Sequence, residues 1–154
     1  MRYNKYEIVS VTATTDAESI GDNKVICQSI EIPTTGSCML SSVTVFDDTV
    51  TGPAIDVIFS SSSTAITQDE GKAIGEDVAD LDAVIDDVVG YVSLAATDYT
   101  DMADAKVGTK SNINLVLRGK SETNVYMHIV NRSGGNWTAT STSDMKVKVG
   151  IIRS

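Results

Sequence analysis

Apolar and polar residues alternate along most of the chain, and this period of two is typical of half-buried β-strands. Near the C-terminal end, for example, Lys146 and Lys148 alternate with Val147 and Val149. Turn-forming residues separate the alternating runs, and Pro33, which cannot donate to a β-ladder, ends the second one. The pattern predicts eight strands, at 5–14, 24–32, 38–46, 54–60, 90–95, 113–117, 124–131 and 145–152.

The period changes in one stretch, 76–89, where apolar residues recur three and four positions apart. Aspartates fill most of the positions between them. This spacing predicts one short amphipathic helix that lies over an open side of a sheet. Because Asp and β-branched Val are poor helix formers, we expect tertiary contacts to stabilise it.

Eight short strands and one helical insertion predict a mainly β protein, an antiparallel β-sandwich typical of a jelly roll. A length of 154 residues suits a single domain, 1–154. Aromatic residues make up only 5% of the chain, so the core must consist mainly of Val, Ile, Leu and Ala.

The charge balance is strongly acidic, with a net charge of −9 at pH 7. Nucleic-acid binding needs clustered Lys and Arg to neutralise phosphates, so no nucleic-acid partner is expected. No apolar run approaches the roughly 20 residues of a membrane helix, so no membrane partner is expected either. The first residues lead into strand-like sequence rather than a signal peptide, and we expect synthesis in a cytoplasm.

Candidate metal and redox chemistry is sparse. Cys27 and Cys38 are the only cysteines and form no CxxC motif, so we expect two free thiols and no cofactor. Asp80 and Asp82 alternate as in a calcium loop, but no Gly follows and the apolar spacing is helical. A solvated helix face is the favoured interpretation, and no metal site is predicted.

The sequence contains no recognisable catalytic motif, and we expect no enzyme. His128 lies in an alternating run without an accompanying nucleophile motif, which predicts a partly exposed histidine on a sheet face. Trp137 follows Gly134 and Gly135, and two interpretations stay open: an exposed anchor for a partner, or a core residue.

One block of sequence carries a resemblance to a known family. An apolar run is followed by AATDY at 95–99, and KVGTKSNINLVL follows at 106–117. This block resembles small structural virion proteins of tailed bacteriophages, with weaker similarity at 40–43, 54–59 and 146–150. The resemblance implies a β-sandwich of the capsid decoration or cement type.

The resemblance also implies a location and partners. The protein would be assembled in the host cytoplasm and bind the capsid surface of the virion. There it would bridge subunits of the major capsid protein, and it would associate with itself as a homotrimer. Two alternatives stay open: a tail, baseplate or head-fibre component of the virion, and a carbohydrate-binding β-sandwich module.

The candidate contact residues come from three places in the sequence. The segment 2–6 combines tyrosine with positive charge in an otherwise acidic chain, although an ordinary first strand with a frayed end is the simpler interpretation. A predicted loop between the fifth and sixth strands supplies further polar residues, and the Gly-rich region before 137 supplies one aromatic. The predicted contact residues are Arg2, Tyr3, Lys5, Tyr6, Tyr99, Lys106, Lys110 and Trp137.

Overall fold

The computed structural model describes residues 5–15, 18–34, 36–63, 66, 70–76, 81–120 and 124–153. Besides the strands, these residues form one short helix, α1 (Leu81–Ile85), and a 3-10 turn at Ala96–Asp98. The strands are β1 (Lys5–Ala13), β2 (Ser19–Ile20), β3 (Val25–Ile32), β4 (Ser37–Asp47), β5 (Ile55–Ser60), β6 (Val88–Leu94), β7 (Tyr99–Asp101), β8 (Lys106–Arg118), β9 (Val125–Asn131), β10 (Trp137–Thr138) and β11 (Met145–Arg153).

Nine of the described strands form two antiparallel sheets that pack face to face, and β2 and β10 pair in a separate two-stranded sheet. The five-stranded sheet has the order β1-β11-β4-β8-β7, and the four-stranded sheet has the order β3-β9-β5-β6. The first long strand therefore pairs with the last, β3 with β9, β4 with β8, and β5 with β6. This nested pairing is the strand order of a jelly roll, and the predicted mainly β sandwich is confirmed.

The core lies between the two sheets and follows the alternation seen in the sequence. In β11, Val147 and Val149 are fully buried while Lys146 and Lys148 are exposed. The core is built mainly from aliphatic side chains, as the scarcity of aromatic residues requires. Burial of such side chains stabilises the fold by roughly 25 cal/mol per Å² of apolar surface removed from water.

A second, smaller cluster covers the outer side of the four-stranded sheet. Its buried members are Val25, Ile58, Ile66, Val84 and Val130. Val84 belongs to α1, so the helix packs over an open sheet face as predicted.

The predicted helix at 76–89 is too long in the region that the structure describes. Residues 77–80 lie outside the described residues, and α1 ends at Ile85. Val88 and Val89, which the helical spacing had included, belong to β6. Val88 pairs with Ser60 of β5, and a β-branched residue suits that extended position better than a helical one.

One predicted strand boundary is also wrong. The loop expected before 113 is strand, because Lys106–Arg118 pairs with β4 along almost its whole length. The first predicted strand is continuous, because β1 pairs with β11 without interruption from Lys5 to Ala13.

The two cysteines lie in different sheets, Cys27 in β3 and Cys38 in β4. Both are buried and unpaired. Burial raises the pKa of each thiol, so both stay in the protonated and unreactive form.

A buried carboxylate organises the corner where the chain leaves one sheet for the other. Asp47 ends β4 and is fully buried. It accepts hydrogen bonds from the backbone N–H groups of Thr49 (3.1 Å), Thr51 (3.1 Å) and Gly52 (2.7 Å). The hydroxyls of Thr49 and Thr51 donate to it at 2.6 and 3.0 Å, and the Trp137 indole N–H donates from 3.3 Å. The carboxylate therefore shapes the turn from β4 to β5 and ties it to β10.

Replacing this carboxylate tests its role. We expect Asp47→Ala to lower the free energy of unfolding by about 3 kcal/mol or more, because several donors lose their acceptor at a buried position. Chemical denaturation measures the loss. Asp48→Ala is the matched control, since Asp48 is exposed and makes a single 3.6 Å ion pair with Lys146. Equal losses for the two variants would contradict the role given to Asp47.

Candidate functional site

The outer face of the five-stranded sheet, formed by β1, β11, β4 and β8, carries an unusual row of side chains. The strand register places Tyr6, Ile152, Met39 and Val116 side by side across these four strands. Tyr6 is 54% exposed and Val116 is 64% exposed. Ile8, one position along β1 on the same face, is 58% exposed. We call Tyr6, Ile8, Met39, Val116 and Ile152 the apolar patch.

Gly150 gives the Tyr6 side chain its place on this face. A Cβ at Gly150 would lie 2.4 Å from the Tyr6 hydroxyl oxygen and 2.3 Å from the Ser42 Oγ. The Tyr6 hydroxyl lies 3.4 Å from the Ser42 Oγ, so the ring extends across the glycine. The missing side chain thus makes room for the tyrosine to lie along the sheet surface.

The other half of the outer face is basic. Lys146 and Lys148 project from β11. The Lys148 ammonium lies 5.0 Å from the centre of the Phe46 ring, a distance at which a cation and an aromatic face attract each other. Lys146 reaches Asp48 at the end of the face.

The charge of this face differs from that of the molecule as a whole. The chain holds 21 acidic residues. Among the described residues that point outward from β1, β11, β4 and β8, none is Asp or Glu. The outer face is therefore an apolar and cationic surface on an acidic protein, and it suits a partner surface that carries carboxylates.

The structure places only part of the predicted N-terminal contact site. Lys5 and Tyr6 are both exposed on β1, and Tyr6 belongs to the apolar patch. Arg2 and Tyr3 lie outside the described residues.

Lys106 and Lys110 lie at the opposite edge of the sheet from Tyr6. They are strand residues, not loop residues, and each is paired with a carboxylate. The Lys110 ammonium lies 2.7 Å from Asp98 and holds the pKa of that carboxyl below its ordinary value. Lys106 lies 3.5 Å from Asp101. These ion pairs neutralise the charge of the two lysines. Because the lysines also lie far across the sheet from Tyr6, the predicted contact residues do not form one continuous surface.

Tyr99 is half-buried rather than exposed on a loop. Its ring packs beside Gly108, where a Cβ would come within 3.0 Å of it, and beside Gly52. Burial raises the pKa of the phenol, and the nearby carboxylates of Asp47 and Asp98 raise it further. This tyrosine packs beneath the surface and offers little of its ring to a partner.

Trp137 is a core residue. Its side chain is 1% exposed and its indole N–H donates to Asp47. The prediction of an exposed anchor is wrong, and the alternative interpretation as a core residue is confirmed.

His128 is fully buried, which corrects the predicted partly exposed histidine. Its Nδ1 accepts a hydrogen bond from the Ser29 N–H at 3.0 Å, so Nε2 carries the proton. Nε2 donates to the Ser60 Oγ at 2.8 Å, and that hydroxyl donates to the Ser62 carbonyl at 3.1 Å. The hydroxyl proton is directed away from the imidazole, so this histidine does not activate the serine as a nucleophile.

An apolar groove of about 410 Å³ lies between α1 and the outer side of β5 and β6. Tyr91, which is 66% exposed, lines it together with aliphatic side chains. At its polar end, Asp56 accepts hydrogen bonds from the Arg132 Nε at 2.8 Å and from the Ser93 hydroxyl at 2.5 Å. An aromatic ring beside polar groups is an arrangement that can bind a small polar ligand.

Among the residues that the structure describes, no three His, Cys, Asp or Glu side chains come together in a way that would hold a metal ion. None of the described helices has the length and apolar character needed to cross a membrane.

Comparisons with known proteins add little to these observations. No protein-family model matches the chain, and no curated protein matches it. Among solved structures, the chain is similar to the VP2 subviral particle of infectious bursal disease virus, with 12% sequence identity and a TM-score of 0.35. The match covers 96% of this chain and 41% of the VP2 chain. This chain therefore spans less than half of the length of the VP2 chain. A likeness at this level leaves the function to be argued from the chain's own residues.

The buried histidine makes stability depend on pH. Burial lowers the pKa of His128 to about 4, whereas an unfolded histidine titrates near 6.5. Unfolding therefore takes up a proton between these values, and stability falls as the pH drops through 6.5. We expect a loss of roughly 1.5 kcal/mol between pH 6.5 and 5, and a levelling of this contribution below about 4.

Denaturation at a series of pH values measures this slope. His128→Gln removes the titrating group, so its stability should change much less over the same interval. The carboxyls with lowered pKa, such as Asp98 and Asp144, lose their contribution at lower pH and do not obscure the comparison. An unchanged slope in the variant would contradict the assignment.

Proposed function

We propose that this protein is a non-enzymatic structural component of a virion, a decoration protein that binds the outside of a capsid shell. The observation that carries the proposal is the outer face of the five-stranded sheet. It is an exposed apolar and cationic surface on a protein whose net charge is −9. Such a surface fits a rigid protein partner with carboxylates around an apolar centre.

The fold supports this proposal without deciding it. Jelly rolls form many viral capsid domains, but also lectin domains, and a fold alone does not imply a function. The resemblance of 95–99 and 106–117 to structural proteins of tailed-phage virions supports the viral alternative. The partner would then be the major capsid protein.

The outer face is suited to contact with a shell because four paired strands hold it rigid. Its apolar patch would become buried, and Lys146 and Lys148 would meet carboxylates of the shell. A single contact of this kind can be weak, because a copy that bridges neighbouring capsid subunits gains affinity from effective concentration. Repetition of the shell lattice would let every copy bind through the same face.

Counting copies per particle tests the location. Quantitative mass spectrometry of purified virions should find on the order of hundreds of copies if the protein covers a shell, whereas a tail, baseplate or head fibre would hold about six to a dozen. Its absence from purified virions would overturn the proposal.

Charge reversal tests the face itself. We expect Lys148→Glu to lower binding to particles stripped of the protein by about ten-fold at limiting concentration, because a cation that meets carboxylates becomes repulsive. Lys72→Glu is the matched control, because it makes the same change of charge at a lysine that is 42% exposed and lies outside the five-stranded sheet. Both binding reactions should be measured by co-sedimentation, and equal binding by the two variants would remove the outer face from the proposal.

A carbohydrate-binding module is the second candidate function, because Tyr91 is exposed beside Asp56, Ser93 and Arg132. Sugars stack on exposed aromatic rings and bind to polar groups beside them. A glycan array should then show binding that Tyr91→Ala abolishes. An array without any bound glycan would exclude this candidate.

A further inference from the structure

The sheet edges of this protein differ in how they are protected from pairing with another strand. Irregular backbone interrupts most of them, as is common at exposed edges. At the other end of the five-stranded sheet, the edge strand β7 is only three residues long and pairs with the start of β8. Beyond it, Asn112 and Asn114 of β8 adopt left-handed conformations next to a register shift. In β3, Ser29 also adopts a left-handed conformation. The backbone of Val25, at the start of β3, forms hydrogen bonds with the backbone at 71–72. β6 has a register shift beside Gly90.

β1 is the exception among the described edges. It is nine residues long and pairs with β11 without a register shift, and none of its residues has a positive φ. No strand among the described residues forms hydrogen bonds with its other side, although β3 of the second sheet packs nearby. Along that side, the backbone N–H and C=O groups have no strand partner among the described residues, and they can pair with an added strand.

The side chains of β1 also indicate an incomplete edge. Tyr6 and Ile8 are more than half exposed on the outer face. On the inner face, Val9 and Val11 are only partly buried, whereas Val147 and Val149 beside them on β11 are fully buried. An added strand would cover the inner face of the sandwich at this edge.

We propose that β1 of one copy pairs in antiparallel orientation with β1 of a second copy, about a two-fold axis perpendicular to the sheet. A second copy supplies a strand of the same length, regularity and side-chain alternation. Such pairing joins the two five-stranded sheets into one continuous sheet.

The register follows from the side chains. Outward-facing residues must lie opposite outward-facing residues, so the axis passes through a residue rather than between two. An axis at Glu7 would place two carboxylates opposite each other, which is unfavourable. An axis at Ile8 places the two Ile8 side chains opposite each other, with Tyr6 opposite Ser10 of the second copy. Glu7, which lies 2.9 Å from the Arg153 Nε, would then face Val9 of the second copy.

The pairing has a consequence for the outer face. Because the axis is perpendicular to the sheet, the outer faces of both copies point to the same side. The pair therefore presents two adjacent apolar and cationic surfaces, which would bind a partner surface with higher avidity. This last step rests on the proposed function, whereas the pairing itself does not.

Sedimentation equilibrium of the full-length protein tests the pairing. We expect a concentration-dependent dimer, twice the 16.3 kDa chain mass. Each copy carries a net charge of −9, so added salt should strengthen the dimer by screening the repulsion between copies. Binding to an acidic shell should weaken with salt instead, so failure of one proposal can be distinguished from failure of the other.

Lysine substitution at Ile8 tests the interface. Ile8→Lys should raise the dissociation constant of the dimer by at least about ten-fold, because two like charges would lie directly opposite each other. Val116→Lys is the matched control, since Val116 is similarly exposed on the same face but belongs to β8. Circular dichroism confirms that both variants fold.

Cysteine cross-linking tests the register. Oxidised Ile8→Cys should form a covalent dimer, because the two Cβ atoms would lie about 5 Å apart. Ser10→Cys should not, because its two copies would lie roughly 14 Å apart along the strands. Cys27 and Cys38 are buried and should not react. A monomer at all concentrations, a mass three times that of the chain, or equal effects of Ile8→Lys and Val116→Lys would each overturn the proposal.

Discussion

The buried carboxylate of Asp47 is the constraint on which the corner between the two sheets depends. A jelly roll requires the chain to leave one sheet and enter the other within a few residues, and here it does so between β4 and β5. The backbone groups of such a corner cannot pair within either sheet, so an acceptor must be supplied from a side chain. Asp47 supplies it, and through Trp137 it also fixes β10 against the sandwich.

Most of the fold could be predicted from the alternation of apolar and polar residues, because each inner-facing position must be apolar. The eight long strands all appear in the sequence pattern, with ends displaced by several residues in β8. There, Lys106 and Lys110 occupy inward-facing positions of the strand near the edge of the sheet. Both side chains form ion pairs instead of apolar contacts. Alternation cannot reveal such a segment. His128 and Trp137 were misplaced or left open because their burial depends on partners far away in the sequence, namely Ser60 and Asp47.

The candidate site was less predictable than the fold. Tyr6 was identified from its own sequence context, but its neighbours Ile152, Met39 and Val116 come from three other strands. Only the pairing register between the strands brings these side chains into one row. The sequence of a single strand does not reveal how that strand is aligned with its neighbours. One signal was available: the outward positions of β11 are Lys146 and Lys148, while acidic residues concentrate in turns and at 76–89. Sorting charges by strand face would have indicated the basic half of the outer face.

The distribution of charge is compatible with the proposed contact surface, because the same molecule also carries a strong net negative charge. A net charge of −9 makes copies repel one another at long range, which opposes random contacts between exposed apolar residues. Irregular backbone at β3, β6 and β8 removes most edges from strand addition. Under the proposals made above, a partner contacts the sheet face that lacks carboxylates among its described residues, and a second copy contacts the edge beside it. Because β1 belongs to both, any protein that covers this edge also alters the surface that the outer face presents.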